Sequence, residues 1–110
     1  MPIPDQAFLE KIQALIEKRL GDEQFSVTEL SQKAGISRSQ LHRKLQALRQ
    51  PAASGLIRAA RLRRAAALLQ QDRFSVTEVA YRAGFRSPAY FTQCFREDFG
   101  MTPSQFRRRA

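Results

Sequence analysis

The sequence predicts an all-α fold of about seven helices, organised as two similar halves. Three observations support this prediction. Apolar residues recur at the 3.6-residue spacing of a helix, one segment of the chain is duplicated, and Ser or Thr repeatedly stands three positions before Glu or Gln, which is typical of a helix N-terminus. No segment shows the period-two alternation that would indicate a competing strand.

The first helix is predicted over residues 5–20. Its apolar side chains fall on one stripe at helical spacing: Phe8, Leu9, Ile12, Leu15, Ile16 and Leu20. Residues 1–24 carry three basic and five acidic residues, a net charge of −2. This segment is therefore expected to build the core and not to contact a polyanion.

The next part of the chain occurs twice. The segment FSVTEL at residues 25–30 returns as FSVTEV at residues 74–79, an offset of 49. The offset becomes 50 beyond the glycine that follows, where Ser37 matches Ser87. Two copies of one small unit are the simplest interpretation.

Each copy begins with a short helix, predicted over about residues 27–34 and 76–83. At the start of each, Ser and a Glu three residues later form the pattern of a capping box: Ser26 with Glu29, and Ser75 with Glu78. Gly35 and Gly84 stand where a residue in the left-handed conformation ends a helix at low cost.

A second helix follows in each copy after a short turn. Ser37 is its predicted N-cap in the first copy, with Gln40 completing a capping box; Ser87 is the N-cap in the second, with Pro88 at the tolerated first helical position. Two helices joined by a turn of three or four residues that contains Gly form the helix-turn-helix motif. One match would be a weak signal, whereas two matches in register are specific.

The longest helix is predicted over residues 52–71 and joins the two copies. Apolar stripes near both of its ends favour packing of one copy against each end: Leu56, Ile57 and Ala60, then Leu62, Ala65, Ala66 and Leu69. A last helix is predicted to start at Thr102, with Pro103 at its first position and Gln105 closing the cap. The predicted domain organisation has three parts: residues 1–50, the linker helix at residues 51–71, and residues 72–110.

The charge of the chain indicates a polyanionic partner. The net charge is +9, and residues 25–110 alone carry sixteen basic and five acidic residues, a net of +11. Fifteen of the nineteen basic residues are Arg, whose planar fork suits phosphates and guanine edges. The alternative is a basic surface that is merely solvated.

The second helix of each copy divides into an apolar and a polar face. The apolar residues are expected in the core: Leu41, Leu45 and Leu48, then Phe91, Cys94, Phe95 and Phe99. The opposite face carries polar and small residues at positions i, i+3, i+4 and i+7: Ser39, His42, Arg43 and Gln46, then Ala89, Thr92, Gln93 and Arg96. Arg43 suits guanine, Gln93 suits adenine, and Ala89 suits a thymine methyl group in a DNA major groove.

Other basic residues are predicted to contact the DNA backbone. Arg38 and Arg86 lie at the starts of the reading helices, where phosphates are attracted. Arg61 belongs to a set of arginines on the connecting helix, of which about half are expected to contact DNA. Residues 107–109, three arginines, are expected to be frayed and only loosely attracted to phosphate.

Enzymatic function is not expected. The sequence has one His, no G-x-S-x-G motif and no Walker loop, and no cofactor or metal site is predicted. The single cysteine, Cys94, is expected to be a small buried hydrophobic residue. Without a membrane span or a secretory signal, a cytoplasmic, nucleoid-associated location is expected.

The segment SVTEVAYRAGFRSPAYFTQCFREDFGMTPSQFRRR at residues 75–109 resembles the signature of the AraC/XylS family of bacterial transcription regulators. RLRRAAALL in the connecting helix is similar to the linker-helix pattern of that family, and the resemblance extends over about residues 6–108. It implies seven helices and two units on one side of a DNA duplex, with their reading helices in successive major-groove segments about one helical turn apart.

The resemblance also implies which residues contact DNA. Carried over to this sequence, Ser39, His42, Arg43, Ala89 and Gln93 would read bases, and Tyr90 and Thr92 would contact the backbone. With the helix-face argument, the predicted base contacts are Ser39, His42, Arg43, Gln46, Ala89 and Gln93. The predicted backbone contacts are Ser37, Arg38, Arg61, Arg86, Ser87, Tyr90, Thr92 and Arg96.

The expected partner is therefore double-stranded DNA, and the expected role is that of a transcription activator that also contacts RNA polymerase. ISRSQLHRKLQAL at residues 36–48 is similar to the output domain of hybrid two-component regulators, which implies an upstream sensor or receiver domain. A one-domain regulator is the alternative. Two other function classes remain open: a module that docks on RNA polymerase with only non-specific DNA affinity, and an RNA-binding domain.

Overall fold

A computed structural model describes residues 4–109, and every regular element among them is a helix. The helices are α1 (Pro4–Arg19), α2 (Val27–Ala34), α3 (Arg38–Ala47), α4 (Ala53–Leu69), α5 (Val76–Arg82), α6 (Pro88–Phe99) and α7 (Pro103–Arg109). The predicted all-α fold with seven helices is confirmed. The outer ends of the predicted domains, residues 1–3 and 110, lie outside the described residues.

The helices begin where the serine signals place them. The side chains of four serines accept a hydrogen bond from the backbone N–H three residues later: Ser26, Ser37, Ser75 and Ser87. The capping boxes of Ser37 with Gln40 and of Ser75 with Glu78 are complete. At α2 the Glu29 carboxylate forms an ion pair with Arg19 of α1. The capping box predicted for Ser26 and Glu29 is thus only half formed: Ser26 caps the helix, and the Glu29 carboxylate is engaged by Arg19.

The predicted glycine turns are confirmed. Gly35 ends α2 with φ of 77°, and Gly84 has φ of 97° just after Ala83, which is the C-cap of α5. A side chain with a Cβ would be strained at either position, so Gly is the residue type that favours these turns.

The described chain divides into two compact units. The first unit comprises residues 4–20 and 24–60, and the second unit comprises residues 21–23 and 61–109. Helix α4 contributes its first half to one unit and its second half to the other. Each unit has a hydrophobic core of its own.

The core of the first unit is mostly aliphatic. Its buried residues come from α1, α2, α3, the first half of α4 and the segment between α1 and α2: Ile12, Ile16, Leu20, Phe25, Leu30, Ala34, Leu41, Leu45, Ala53, Leu56, Ile57 and Ala60. Leu48, which the sequence places in this core, is only half-buried because α3 ends at Ala47 and Leu48 is the C-cap.

The core of the second unit is aromatic. Its buried residues are Leu62, Ala65, Leu69, Val79, Ala80, Ala83, Phe85, Phe91, Cys94 and Phe95. The Phe95 ring centroid lies 5.6 Å from that of Phe91 and 4.3 Å from that of Phe99. Phe99 itself is half-buried and packs against the core from the last turn of α6. Ring pairs at these separations add to the free energy gained by burial alone.

Helix α7 corrects one expectation. Residues 107–109 are not frayed, because α7 continues to Arg109. The Arg107 guanidinium donates to the carbonyl of Leu69 at 3.0 Å and to that of Gln71 at 3.4 Å. It therefore satisfies backbone acceptors at the C-terminal end of α4, where a cation also complements the helix dipole.

The same type of contact recurs at two other helix ends. The Lys11 ammonium donates to the carbonyl of Ala34, the last residue of α2, at 3.2 Å. Arg64 Nε donates to the carbonyl of Arg82, the last residue of α5, at 3.1 Å. Part of the excess positive charge thus stabilises helix ends within each unit. Among residues 4–109, none of the helices is both long and apolar enough to span a membrane.

Candidate nucleic-acid interface

Helix α3 presents its polar stripe to solvent. Leu41 and Leu45 are 0% and 1% exposed, and they fix the opposite side of the helix in the core. The four residues predicted to read bases in this copy are all exposed: Ser39, His42, Arg43 and Gln46. These side chains are therefore accessible to solvent, as the helical periodicity of the sequence predicts.

An open cleft of about 750 Å³ lies between α3 and the start of α4. Its polar lining combines the start of the reading helix with a serine of α4: Arg38, Ser39, His42, Arg43 and Ser54. The first turn of a helix carries backbone N–H groups without intrahelical partners, and these attract anions. The cleft thus joins two guanidinium groups, an imidazole and hydroxyl groups on one concave surface of the first unit.

The corresponding surface of the second unit is less basic. Ala89, Gln93 and Arg96 are exposed on α6, whereas Thr92 is half-buried. An open cleft of about 510 Å³ is lined by Ala89, Thr92, Gln93, Arg96, Glu97 and Gly100. Glu97 was not among the residues that the sequence singled out. Its position four residues after Gln93, hence on the same helix face, was the available signal.

The start of α6 brings together several predicted backbone contacts. Ser87 Oγ accepts from the Tyr90 backbone N–H at 3.1 Å, and its hydroxyl hydrogen can still be donated. The Tyr90 ring lies 6.1 Å from that of Phe85 and is 49% exposed. Arg86, just before the cap, is exposed. These side chains at the N-terminal end of a helix form an arrangement suited to a phosphate.

Arg61 is placed differently from the exposed arginines. It is half-buried, and its guanidinium donates to the backbone carbonyl of Asp22 at 2.9 Å. Burial lowers the pKa of Arg61, an effect that the Asp22 carboxylate opposes and the nearby Arg86 reinforces. The guanidinium therefore already links residues 21–23 to α4 within the second unit, and its contact with a DNA backbone remains a prediction.

The sequence of residues 30–109 matches a family described as a helix-turn-helix domain, of the AraC type. Both reading helices fall inside the match. The chain belongs to the AraC family. Its family and fold are those of DNA-binding transcription regulators.

Relatives of this AraC-type chain include proteins of several architectures. Over 105 residues it is 37% identical to a histidine kinase of Formosa agariphila, with 96% of this chain and 8% of the kinase covered. Over 104 residues it is 38% identical to the HTH-type transcriptional regulator GlxA of Rhizobium meliloti, with 94% of this chain and 31% of the regulator covered. The chain thus spans less than a third of the length of either curated relative.

A solved structure shows the same fold with DNA. The DNA-binding domain of AdpA, a global transcriptional factor, was crystallised in complex with a target DNA. It is 33% identical to this chain and superposes with a TM-score of 0.81, with 92% of this chain and 89% of the AdpA chain covered.

Proposed function

We propose that this AraC-type domain binds double-stranded DNA in a sequence-specific manner, with α3 and α6 each reading one major-groove segment. The proposal rests on one observation: the two duplicated helices, α3 and α6, each bury one face and expose the other. The exposed positions are equivalent in the two copies, at an offset of 50. An α-helix fits the major groove, where each base pair presents a distinct pattern of donors and acceptors.

In the first unit, the proposed base contacts centre on Arg43. Its fork can donate two hydrogen bonds to O6 and N7 of guanine, which is the commonest specific contact in DNA complexes. His42 can bond to a base edge, and Ser39 and Gln46 complete the same exposed stripe. Arg38 and Ser37, at the start of the helix, would bind the adjacent phosphates.

In the second unit, the proposed base contacts are Gln93 and Ala89. The Gln93 amide can pair with N6 and N7 of adenine, and the Ala89 methyl group can touch that of thymine. Arg86, Ser87 and Tyr90 at the start of α6 would contact the backbone, together with Thr92, Arg96 and Arg61. Since the reading residues of the two units differ in chemistry, the two DNA blocks should differ as well.

The fold shared with the AdpA DNA-binding domain supports DNA as the ligand. Phe85, Phe91 and Phe95 are buried and cannot stack on the bases of single-stranded RNA, whereas Tyr81 and Tyr90 are exposed, so competition with RNA belongs to the test of the proposal.

Selection of binding sites from a random duplex library tests the proposal. We expect two dissimilar blocks with centres about 10–10.5 base pairs apart. Competition should be strong with the selected duplex and weak with single strands or RNA of the same sequence. Enrichment of a palindrome, of a single block or of no motif would contradict the proposal.

We further propose that the domain acts as the output of a longer activator, with a sensor or receiver upstream. The relatives support this, since the matched segment is a small part of each. A reporter gene placed behind the selected site tests the sign. Expression should rise with the domain and should return to the basal level when the site is scrambled. A fall in expression would instead indicate a repressor.

A further inference from the structure

The cleft of the second unit contains an acid where a DNA-facing surface would be expected to carry none. Glu97 lines this cleft together with Gln93 and Arg96. A carboxylate near phosphates lowers the affinity for DNA of any sequence. Its presence on the reading face therefore calls for a role other than attraction to the backbone.

Glu97 has a specific partner on that face. Gln93 Nε2 donates to Glu97 Oε1 at 3.4 Å, and both residues are exposed on α6, four positions apart. An ionised carboxylate can only accept hydrogen bonds, so it determines which end of the amide turns toward it. The Gln93 nitrogen must face Glu97, while the carbonyl oxygen and the second N–H stay available for another partner.

These two remaining groups are the pair that adenine requires. The amide oxygen accepts from N6, and the amide N–H donates to N7. An amide rotated by half a turn would present its groups in exchanged positions and lose both bonds.

The duplicated position in the first unit supports this interpretation. At an offset of 50, Gln93 corresponds to Arg43 and Glu97 corresponds to Ala47. A guanidinium carries only donors, so no rotation of the Arg43 group exchanges a donor for an acceptor. Arg43 therefore needs no neighbour to fix its orientation. The copy with Gln at the reading position thus has Glu four residues later, whereas the copy with Arg has Ala there.

We propose that Glu97 is a positioning residue for sequence recognition: it holds the Gln93 amide in the orientation that reads adenine and lowers the affinity for all DNA in return. This inference rests on the proposed function, since it requires that α6 reads bases through Gln93.

Site selection with charge-matched variants tests the inference on the full chain. Glu97→Gln removes the obligate acceptor with little change of shape, and Asp98→Asn removes the same charge from the next exposed residue, which is rotated by about 100° around the helix. Both variants raise the net charge by one, so a difference between them reports the position and not the charge. Gln93→Ala identifies the base pair that Gln93 reads.

We expect Glu97→Gln to reduce the preference for adenine at that base pair by about two- to tenfold. The lower limit corresponds to the strength of an exposed side-chain pair on a helix, and the upper limit to that of a charge-assisted hydrogen bond in a water-poor groove. Affinity for unrelated duplexes should increase, because the variant removes a negative charge near the phosphates. Asp98→Asn should leave the preference unchanged. The double variant Gln93→Ala/Glu97→Gln should be no less selective than Gln93→Ala, because the effect of Glu97 passes through Gln93.

Two results would overturn the inference and leave the proposed function intact. One is that Glu97→Gln keeps the wild-type preference for adenine at this base pair, while Gln93→Ala loses that preference. The other is a loss at a different base pair, which would mean that Glu97 contacts a base directly. If Gln93→Ala changed no base preference, α6 would not read DNA as proposed, and both the inference and the proposed function would fail.

Discussion

The first unit buries a mostly aliphatic core and presents Arg43 on its reading helix, whereas the second unit packs phenylalanine rings and presents Gln93. The serine caps and the positive-φ glycines that follow α2 and α5 are nevertheless the same in both units, whereas α6 ends at Gly100 and α3 ends without a glycine. The local signals that start helices were thus kept after duplication, and one of the two end signals was kept as well. The side chains that fill the core and face the solvent diverged, as the proposed recognition of two different DNA segments requires.

The largest expected effect concerns the two cores. Phe91 and Leu41 occupy equivalent positions, and both are 0% exposed. The Phe91 ring also lies 5.1 Å from that of Phe85 and 5.6 Å from that of Phe95. Phe91→Ala should lower the free energy of unfolding by about 3–5 kcal/mol, and Leu41→Ala by about 2–3 kcal/mol. The loss is larger for Phe91→Ala because this change leaves a larger cavity and also removes the contacts between the rings. Urea unfolding followed by circular dichroism measures both. A larger loss for Leu41→Ala would contradict the importance of the aromatic cluster.

A smaller effect is expected at α7, where the two units use different residues at one position. Arg107 corresponds to Ile57, which is buried in the first unit. Arg107→Ala removes the donors to the carbonyls of Leu69 and Gln71. We expect a loss of about 1 kcal/mol in the free energy of unfolding, comparable to the net contribution of a typical intramolecular hydrogen bond.

Arg108→Ala is the matched control for this change. Arg108 is the next residue, is exposed, and carries the same charge. Its removal should change the stability by less than about 0.5 kcal/mol. Equal losses for the two variants would show that the charge, and not the contact with the end of α4, stabilises α7.

The smallest effect distinguishes the capping box of Ser75 with Glu78 from that of Ser37 with Gln40 by pH. Hydrogen bonds from the Ser75 backbone N–H and hydroxyl lower the pKa of Glu78 below its ordinary value. A carboxyl with a lowered pKa stabilises the fold above its unfolded pKa, about 4.3, and this contribution is lost as the pH falls through the folded pKa. The difference in unfolding free energy between the wild type and Glu78→Gln should therefore be present at pH 7 and shrink below pH ~4.

Gln40 provides the internal control, because it forms the same box at α3 without a titratable group. The effect of Gln40→Ala on stability should be the same at both pH values. If the effect of Glu78→Gln were also independent of pH, the Glu78 carboxylate would not be engaged by the cap.

The helices could be predicted from the sequence because their signals are local. Ser37 with Gln40, and Ser75 with Glu78, set helix starts that the structure reproduces, and Gly35 sets an end. The exposed stripes of α3 and α6 follow from helical periodicity in the same way. Only Thr92, half-buried in the second stripe, departs from that pattern.

Contacts between distant parts of the chain could not be predicted. The expectation that Arg107 is frayed was wrong because its partners, the carbonyls of Leu69 and Gln71, are more than 30 residues away in sequence. The bond from Arg61 to Asp22 spans 39 residues and depends on which segments pack together. A charge count treats such arginines as available for DNA, whereas the fold commits part of their donors to backbone carbonyls.

The proposed function requires that the two units read different DNA blocks through Arg43 and Gln93. Site selection with Arg43→Ala and with Gln93→Ala tests this requirement. Lys44→Ala serves as a control, because it removes a cation from the same helix as Arg43. The Lys44 ammonium lies 4.6 Å from the ring centroid of Phe8. Each reading variant should lose about 1–3 kcal/mol on the wild-type site and relax one base position, Arg43→Ala in one block and Gln93→Ala in the other. Lys44→Ala should keep both blocks. If both reading variants relaxed the same block, or if either left the selected motif unchanged, the proposed function would be contradicted.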